Sequence, residues 1–137
     1  MRVNTYVLDK TFEAADTTLL QWKFAKPTTG VATGPQAKMT LCTDAMGFIV
    51  QNAPTVAGRG AVIRIYGFSE LYVDGTAAPA VGTGNGPIAP GTMLKPTTGG
   101  IGIAVTAGDN YSAIAMEASI AAGDRIEVLC ERGVSHV

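Results

Sequence analysis

Apolar and polar positions alternate with a period of two residues in the segment AVIRIYGFSELYV, residues 61–73. Arg64, Tyr66 and Phe68 fall on one face of the predicted strand, and Ile63, Ile65 and Gly67 fall on the other. One apolar face and one mixed face are typical of a strand that is buried on one side. Gly67 interrupts the run, and we expect a bulge or a bend there.

Shorter apolar runs separated by turn residues recur along the rest of the chain after residue 37. They are KMTLCT, GFIVQ, GTMLK, GIGIAV, NYSAIAME and DRIEVLCE. With the long central run they make seven predicted strands. Their spacing favours a mainly β fold, a small β-barrel or β-sandwich of short antiparallel strands. The best helix candidate, AIAMEASIAAG, runs directly into a Gly–Asp turn and the next strand, so no helix is predicted.

Residues 1–35 are the least regular part of the chain. Two candidate strands, VNTYVL and LLQWKF, flank the polar stretch DKTFEAADTT, and the segment ends in PTTGVATGP. A stretch so rich in Thr, Gly and Pro is typical of a loop or linker. We therefore predict an irregular N-terminal arm and linker over residues 1–35 and a compact β domain over residues 36–137.

The pentapeptide KPTTG occurs twice, at residues 26–30 and 95–99. A phosphate-binding loop needs its lysine after the glycines, at the start of a helix, whereas here the lysine comes first and a proline follows it. Proline fixes φ for a turn, and the closing glycine can adopt a positive φ. The residues that flank the two copies do not match. We interpret the copies as one turn used twice, with Lys26 and Lys95 in solvent, and not as two halves of a duplicated fold.

Charge adds little to this picture. The net charge of −1 over 137 residues gives no overall attraction to nucleic acid or acidic lipid. Residues 1–68 carry seven basic and four acidic side chains, and residues 69–137 carry three and seven, which we interpret as two ordinary solvated faces. No apolar run approaches the roughly 18 residues of a membrane span, and we expect no signal peptide.

Candidate catalytic residues are sparse. Cys42 and Cys130 lie in apolar runs and are expected to be buried, with a disulfide between them left open. The single histidine, His136, is next to the C-terminal residue, where a general base is not expected. The acidic residues are scattered, and the glycine-rich GTGNGP lacks the helix that a dinucleotide site needs. We therefore predict no catalytic residue, no metal site and no cofactor.

Several patterns occur together from Ile65 onward: YVDG at the end of the long strand, then IAPGTML, PTTGG and AIAMEASIAAGDRIEVL. This half of the chain resembles the small β-rich decoration, or cement, proteins of tailed-bacteriophage heads. The resemblance implies a non-catalytic protein that binds the outer surface of the major capsid protein lattice in the virion, as a homotrimer, and stabilises the head. It implies no nucleic acid, membrane or small-molecule substrate as a partner.

The N-terminal segment is rich in aromatic and basic residues that could order on a partner or on a neighbouring copy. The predicted interface residues are Tyr6, Phe12, Trp22, Lys23, Phe24 and Lys26. Core packing is the competing interpretation for Trp22 and Phe24. Two other functions stay open. A β-barrel ligand-binding module, such as a carbohydrate-binding domain, would align aromatic residues on an exposed face, and a small hydrolase would bring two acidic residues close together in a pocket.

Overall fold

The chain is built almost entirely from β-strands. The computed structural model describes residues 7–28, 37–44, 46–76, 87–106 and 108–135. The strands are β1 (Leu8–Ala14), β2 (Phe24–Pro27), β3 (Lys38–Leu41), β4 (Phe48–Val50), β5 (Gly60–Asp74), β6 (Met93–Pro96), β7 (Gly102–Ala104), β8 (Asn110–Ala115) and β9 (Ala122–Val134). The seven strands predicted after residue 37 are confirmed. Within these ranges the helical content is one 3-10 turn, Thr98–Gly100, and no helix is long and apolar enough to cross a membrane.

The N-terminal segment contains two strands, but neither lies where its hydrophobic pattern predicted. β1 covers the charged sequence LDKTFEA, which was expected to separate two strands, and β2 begins only at Phe24, the last residue of the predicted strand LLQWKF. Charged residues are tolerated in β1 because its side chains are exposed except for Phe12 and Ala14. The predicted strand VNTYVL lies mostly outside the described residues. The predicted domain boundary at residue 35 also lies outside them and stays a prediction.

The strand pairings close two five-stranded rings that share β5. The first ring runs β1-β3-β2-β4-β5 and returns to β1, and the second runs β5-β7-β6-β8-β9 and returns to β5. In each ring one pair is parallel, β1 with β3 and β5 with β7, and the others are antiparallel. A closed ring has no unpaired edge strand. The structure thus confirms the barrel and not the sandwich.

The two rings are copies of one structural unit, because their pairings match residue by residue. We call β1 to β5 unit 1 and β5 to β9 unit 2. Lys26 pairs with Thr40 in unit 1, and Lys95 pairs with Ile103 at the same place in unit 2. The other matching pairs are Phe24–Ile49 with Met93–Ile114, Ile49–Arg64 with Ile114–Leu129, Ala14–Met39 with Val73–Gly102, and Phe12–Ala61 with Leu71–Ile126. The interpretation of KPTTG as a turn unrelated to duplication is therefore wrong: the two copies end equivalent strands, β2 and β6.

Hydrogen bonds in the loops repeat as well. The backbone N–H of Trp22 donates to the Val50 carbonyl at 2.8 Å, and the N–H of Gly91 donates to the Ala115 carbonyl at 2.7 Å. Both turn residues have a positive φ, 65° for Trp22 and 90° for Gly91. Glycine adopts this conformation freely, whereas other L-residues are destabilised in it by about 1–2 kcal/mol. Among the described residues, Trp22 is the sole non-glycine residue with a positive φ.

Two hydrophobic clusters fill the rings. The cluster of unit 1 contains Ala14, Leu19, Ala25, Met39, Val50, Ala61 and Ile63. The second cluster contains Leu71, Val73, Ile88, Leu94, Ala113, Ala115, Ile126, Val128 and Cys130, together with Phe24, Cys42 and Ile49 from strands and a loop of unit 1. Because these last three residues pack into the second cluster, the units share buried apolar surface and are held together by more than the shared strand.

β5 passes from one unit to the other at Gly67. Its residues up to Tyr66 pair with β1, and its residues from Gly67 onward pair with β9. The register shifts between Leu8 and Asp9, just across from this point, and Gly67 has a φ of 117°. The register shift confirms the irregularity, a bulge or a bend, that was predicted at Gly67, and L side chains rarely adopt the backbone conformation found there.

Gly67→Ala is expected to lower the free energy of unfolding by about 1–3 kcal/mol, because alanine is strained at a φ of 117°. Equilibrium urea denaturation measures the change. Gly60→Ala is the control, because Gly60 begins the same strand without a positive φ, and it should change the free energy of unfolding by less than about 1 kcal/mol. Equal losses in the two variants would contradict this role for Gly67.

Candidate binding surface

The outward face of β5 combines aromatic and charged side chains. Arg64, Tyr66, Phe68, Glu70 and Tyr72 alternate with residues that are mostly buried, as the two-residue period predicts. Tyr66 is 39% exposed and Phe68 is 42% exposed. Large aromatic side chains left this accessible on a sheet are candidates for contact with a ligand or a partner.

Arg64 is held in place by the strand beside it. Its Nε and Nη2 atoms donate to the two carboxylate oxygens of Asp9, both at 2.8 Å, and its Nη1 atom donates to the carbonyl of Phe68. A two-point contact between guanidinium and carboxylate is strong and directional. The Arg64 charge is thus neutralised within the fold, and the side chain also holds the backbone of β5 at Phe68.

A groove of about 360 Å³ lies where the Trp22 turn meets the outward face of β5. It is lined by Trp22, Gln51, Arg64, Phe68, Ser69, Glu70 and Glu127. The turn is fixed to β5 because the Tyr72 N–H donates to the Trp22 carbonyl at 2.9 Å. The Gln51 amide is also fixed, since its Nε2 atom donates to Ser69 Oγ at 2.9 Å. The groove therefore brings two aromatic rings and several oriented polar groups together.

Two carboxylates face each other in this groove. Glu70 of β5 and Glu127 of β9 are register partners, whereas the equivalent pair in unit 1, Thr11 and Val62, is uncharged. Like charges directly opposite each other destabilise a sheet by up to about 1 kcal/mol. Arg125 lies 2.6 Å from Glu70 and offsets part of this repulsion, while the Glu127 carboxylate has no partner within the described ranges.

This acidic pair is the arrangement that the hydrolase alternative requires. Cleavage of a glycosidic bond uses two carboxyl groups, one to donate a proton and one to act as a base or nucleophile. Glu70 forms an ion pair with Arg125, whereas Glu127 has no ion-pair partner among the described residues.

Lys26 and Lys95, which were predicted to lie in solvent, keep 28% of their side-chain surface exposed, and each also forms an ion pair with an aspartate. Lys26 Nζ lies 2.7 Å from Asp44 Oδ1, and Lys95 Nζ lies 2.6 Å from Asp109 Oδ2. The Lys95 ammonium and the hydroxyl and backbone N–H of Thr106 hold the pKa of Asp109 well below its usual range. The Lys26 ammonium likewise lowers the pKa of Asp44. The duplication thus extends from the backbone to an ion pair in each unit.

Asp109→Asn is expected to lower the free energy of unfolding at pH 7 by about 1 kcal/mol. Because the pKa of Asp109 is lowered in the folded state, the wild type loses this contribution as the pH falls below about 4, the usual pKa of aspartate. The difference between wild type and variant should therefore shrink toward pH 2 in urea denaturation.

Asp44→Asn is the matched control from unit 1. The Asp44 side chain is 70% exposed, against 32% for Asp109, so solvent screens its ion pair more strongly and the loss should be smaller. A difference between wild type and Asp109→Asn that stays constant from pH 7 to pH 2 would contradict the assignment.

The predicted interface residues do not form one surface. Tyr6 lies outside the described residues. Phe24 is completely buried in the second cluster, so its side chain has no surface left for a partner, and its prediction as an interface residue is wrong. Phe12 packs partly buried against the core of unit 1, with the Lys10 ammonium 5.4 Å from the centre of its ring.

The remaining predicted residues divide between two places. Trp22 and Lys23 lie in the turn against β5, where the Lys23 ammonium is 5.9 Å from the ring centre of Tyr72. Lys26 is bound to Asp44 at the end of β2. Sequence reasoning did not single out Glu127 as part of a site, because only the register between β5 and β9 brings it to the groove.

Both cysteines are buried, and they form no disulfide with each other. Burial raises the pKa of the Cys130 thiol, although the Arg132 guanidinium opposes this effect. The prediction that Cys42 and Cys130 act as small buried hydrophobic residues is confirmed. No group of three or more His, Cys, Asp or Glu side chains in the described part of the chain could hold a metal ion, and His136 lies outside that part.

Comparison with known proteins yields a similarity of fold. No protein-family model matches the chain, and no curated protein matches it. The chain is similar to the crystal structure of the head fiber gp8.5 N base in bacteriophage phi29, with a TM-score of 0.62 and 11% sequence identity. The match covers 92% of this chain and 95% of that chain. At this identity the similarity shows a shared fold, and its extent means that it includes both units.

Proposed function

We propose that this protein is a structural component of a bacteriophage head that binds the outer surface of the major capsid protein lattice and stabilises it. The observation that carries the proposal is the fold shared over nearly the full length of both chains with the head fiber base. The sequence patterns from Ile65 onward, which resemble those of capsid decoration proteins, support the proposal independently of the fold.

The architecture suits a protein that must resist mechanical load. Each strand of a closed ring is hydrogen-bonded on both sides, so no strand can leave the ring without breaking a ladder of backbone hydrogen bonds. The second hydrophobic cluster also contains residues of unit 1, so the units cannot separate without exposing apolar surface. A rigid body of this kind can hold neighbouring capsid subunits together.

An exposed apolar patch on β5 and at the start of β1, including the residue before it, is the proposed capsid contact. It consists of Val7, Leu8 and Tyr66, which are 40%, 42% and 39% exposed. Leu8 and Tyr66 are register partners, so their side chains lie next to each other on the sheet. Exposed apolar patches on soluble proteins commonly mark interaction sites.

The double variant Leu8→Ser, Tyr66→Ser is expected to bind capsid shells at least about tenfold more weakly, because it removes the apolar centre of the contact. Cosedimentation with expanded shells, assembled from the major capsid protein of the same phage, measures the affinity. Val56→Ser is the control, because Val56 is 49% exposed but lies near Ala14, at the end of β1 away from Leu8.

The two ways in which this experiment can fail are distinct. If the wild-type protein does not cosediment with the shells, the proposed function is wrong. If the wild type binds and the double variant binds equally well, the function stands and the patch is not the contact.

We also propose that the protein acts as a homotrimer, as the resemblance to decoration proteins implies. Light scattering across a concentration series should then give a mass near three times 14.1 kDa. The melting temperature should rise with protein concentration, because association stabilises only the folded chain. A monomer mass at all concentrations, with a constant melting temperature, would contradict a preformed trimer.

A further inference from the structure

The comparison of the two units singles out the Trp22 groove. The turn that holds Trp22 in unit 1 holds Gly91 in unit 2, with the same backbone hydrogen bond and a positive φ in both. The fold therefore accepts glycine at this turn, and glycine would relieve the strain. Backbone strain of this kind is concentrated at functional sites. A strained tryptophan at a turn that accepts glycine therefore indicates that the Trp22 side chain itself has a function.

The acidic pair points to the same groove. Glu70 and Glu127 stand opposite each other in unit 2, where unit 1 has the uncharged pair Thr11 and Val62. The carboxylate of Glu127 lines the groove without a partner among the described residues. Two unfavourable features, one conformational and one electrostatic, are thus found at one groove and absent from the equivalent positions of the other unit.

The chemistry of the groove fits a saccharide. The apolar C–H face of a sugar ring packs on the electron-rich face of an aromatic ring such as that of Trp22 or Phe68. Sugar hydroxyls donate strong hydrogen bonds to an ionised carboxylate such as Glu127. The volume of about 360 Å³ is at the lower end of the range for small-molecule sites. Two carboxylates in the lining disfavour an anionic ligand, and Arg64 is already bound to Asp9.

We propose that this groove binds a neutral oligosaccharide, with one sugar ring on Trp22 and its hydroxyls on Glu127. This activity would be additional to capsid binding and does not rest on it. It would allow a protein on the surface of a particle to adhere to glycans. The capsid contact proposed above uses Val7, Leu8 and Tyr66, which do not line this groove.

Trp22 is the single tryptophan of the chain, so its fluorescence reports on the groove directly. Maltotriose, cellotriose and triacetylchitotriose are titrated separately into the isolated protein, each to about 20 mM. At least one is expected to give a saturable change in emission with a dissociation constant of about 1 mM or tighter. The absence of a saturable change with all three would overturn the proposal.

Variants separate binding from folding. Glu127→Gln keeps the fluorophore and should weaken binding at least about fivefold, because it removes the charge-assisted hydrogen bonds. Glu131→Gln, on the same strand but outside the groove lining, is the matched control and should bind like the wild type. If the two variants bind equally well, the assignment of Glu127 is wrong and the proposal fails.

Trp22→Gly tests the aromatic ring itself. It should fold, because Gly91 forms the same turn, and circular dichroism and thermal melting verify this. Isothermal titration calorimetry should show that it has lost the saccharide. Wild-type affinity in this variant would overturn the proposal. A change in Trp22 emission that occurs only with capsid shells would also overturn it and would assign the groove to the capsid contact.

Discussion

β5 belongs to two closed rings at once, and both rings take their register from it. Its first half pairs with β1 and β4, and its second half pairs with β7 and β9. In a closed ring a shift of one strand would have to be matched by every other strand, and it would turn buried side chains outward. The position at which β5 changes partner strands therefore cannot shift away from Gly67. A residue that accepts a φ of 117° is needed there.

The shared strand also explains where the groove lies. Trp22 and Gln51 come from loops of unit 1, Glu127 comes from the last strand of unit 2, and all three reach the outward face of β5. Neither unit could build this groove alone. The groove thus lies between the two units and has no counterpart within either of them, and the units differ in charge and in backbone strain where they border it.

The duplication itself was hidden in the sequence for a physical reason. Equivalent core positions need only an apolar side chain that fits, so Ala25 corresponds to Leu94 and Val50 corresponds to Ala115 without any residue identity. KPTTG is the part of the duplication that remains visible in the sequence, because its lysine ends a strand and forms an ion pair in both copies. β1 was missed for a related reason: its strand is stabilised by pairing with β5 and has few buried side chains to mark it.

The sequence by itself determined the β class, the seven strands after residue 37, the alternation of β5 and the bend at Gly67. These features depend on residues that are neighbours along the chain, so a local pattern is enough to predict them. Only the tertiary structure decided the ring closure, the burial of Phe24 and the meeting of Trp22 with Glu127. Each of these depends on the register between strands that are far apart in the chain. Many registers are compatible with the same local pattern, and the closure of both rings around β5 selects one of them.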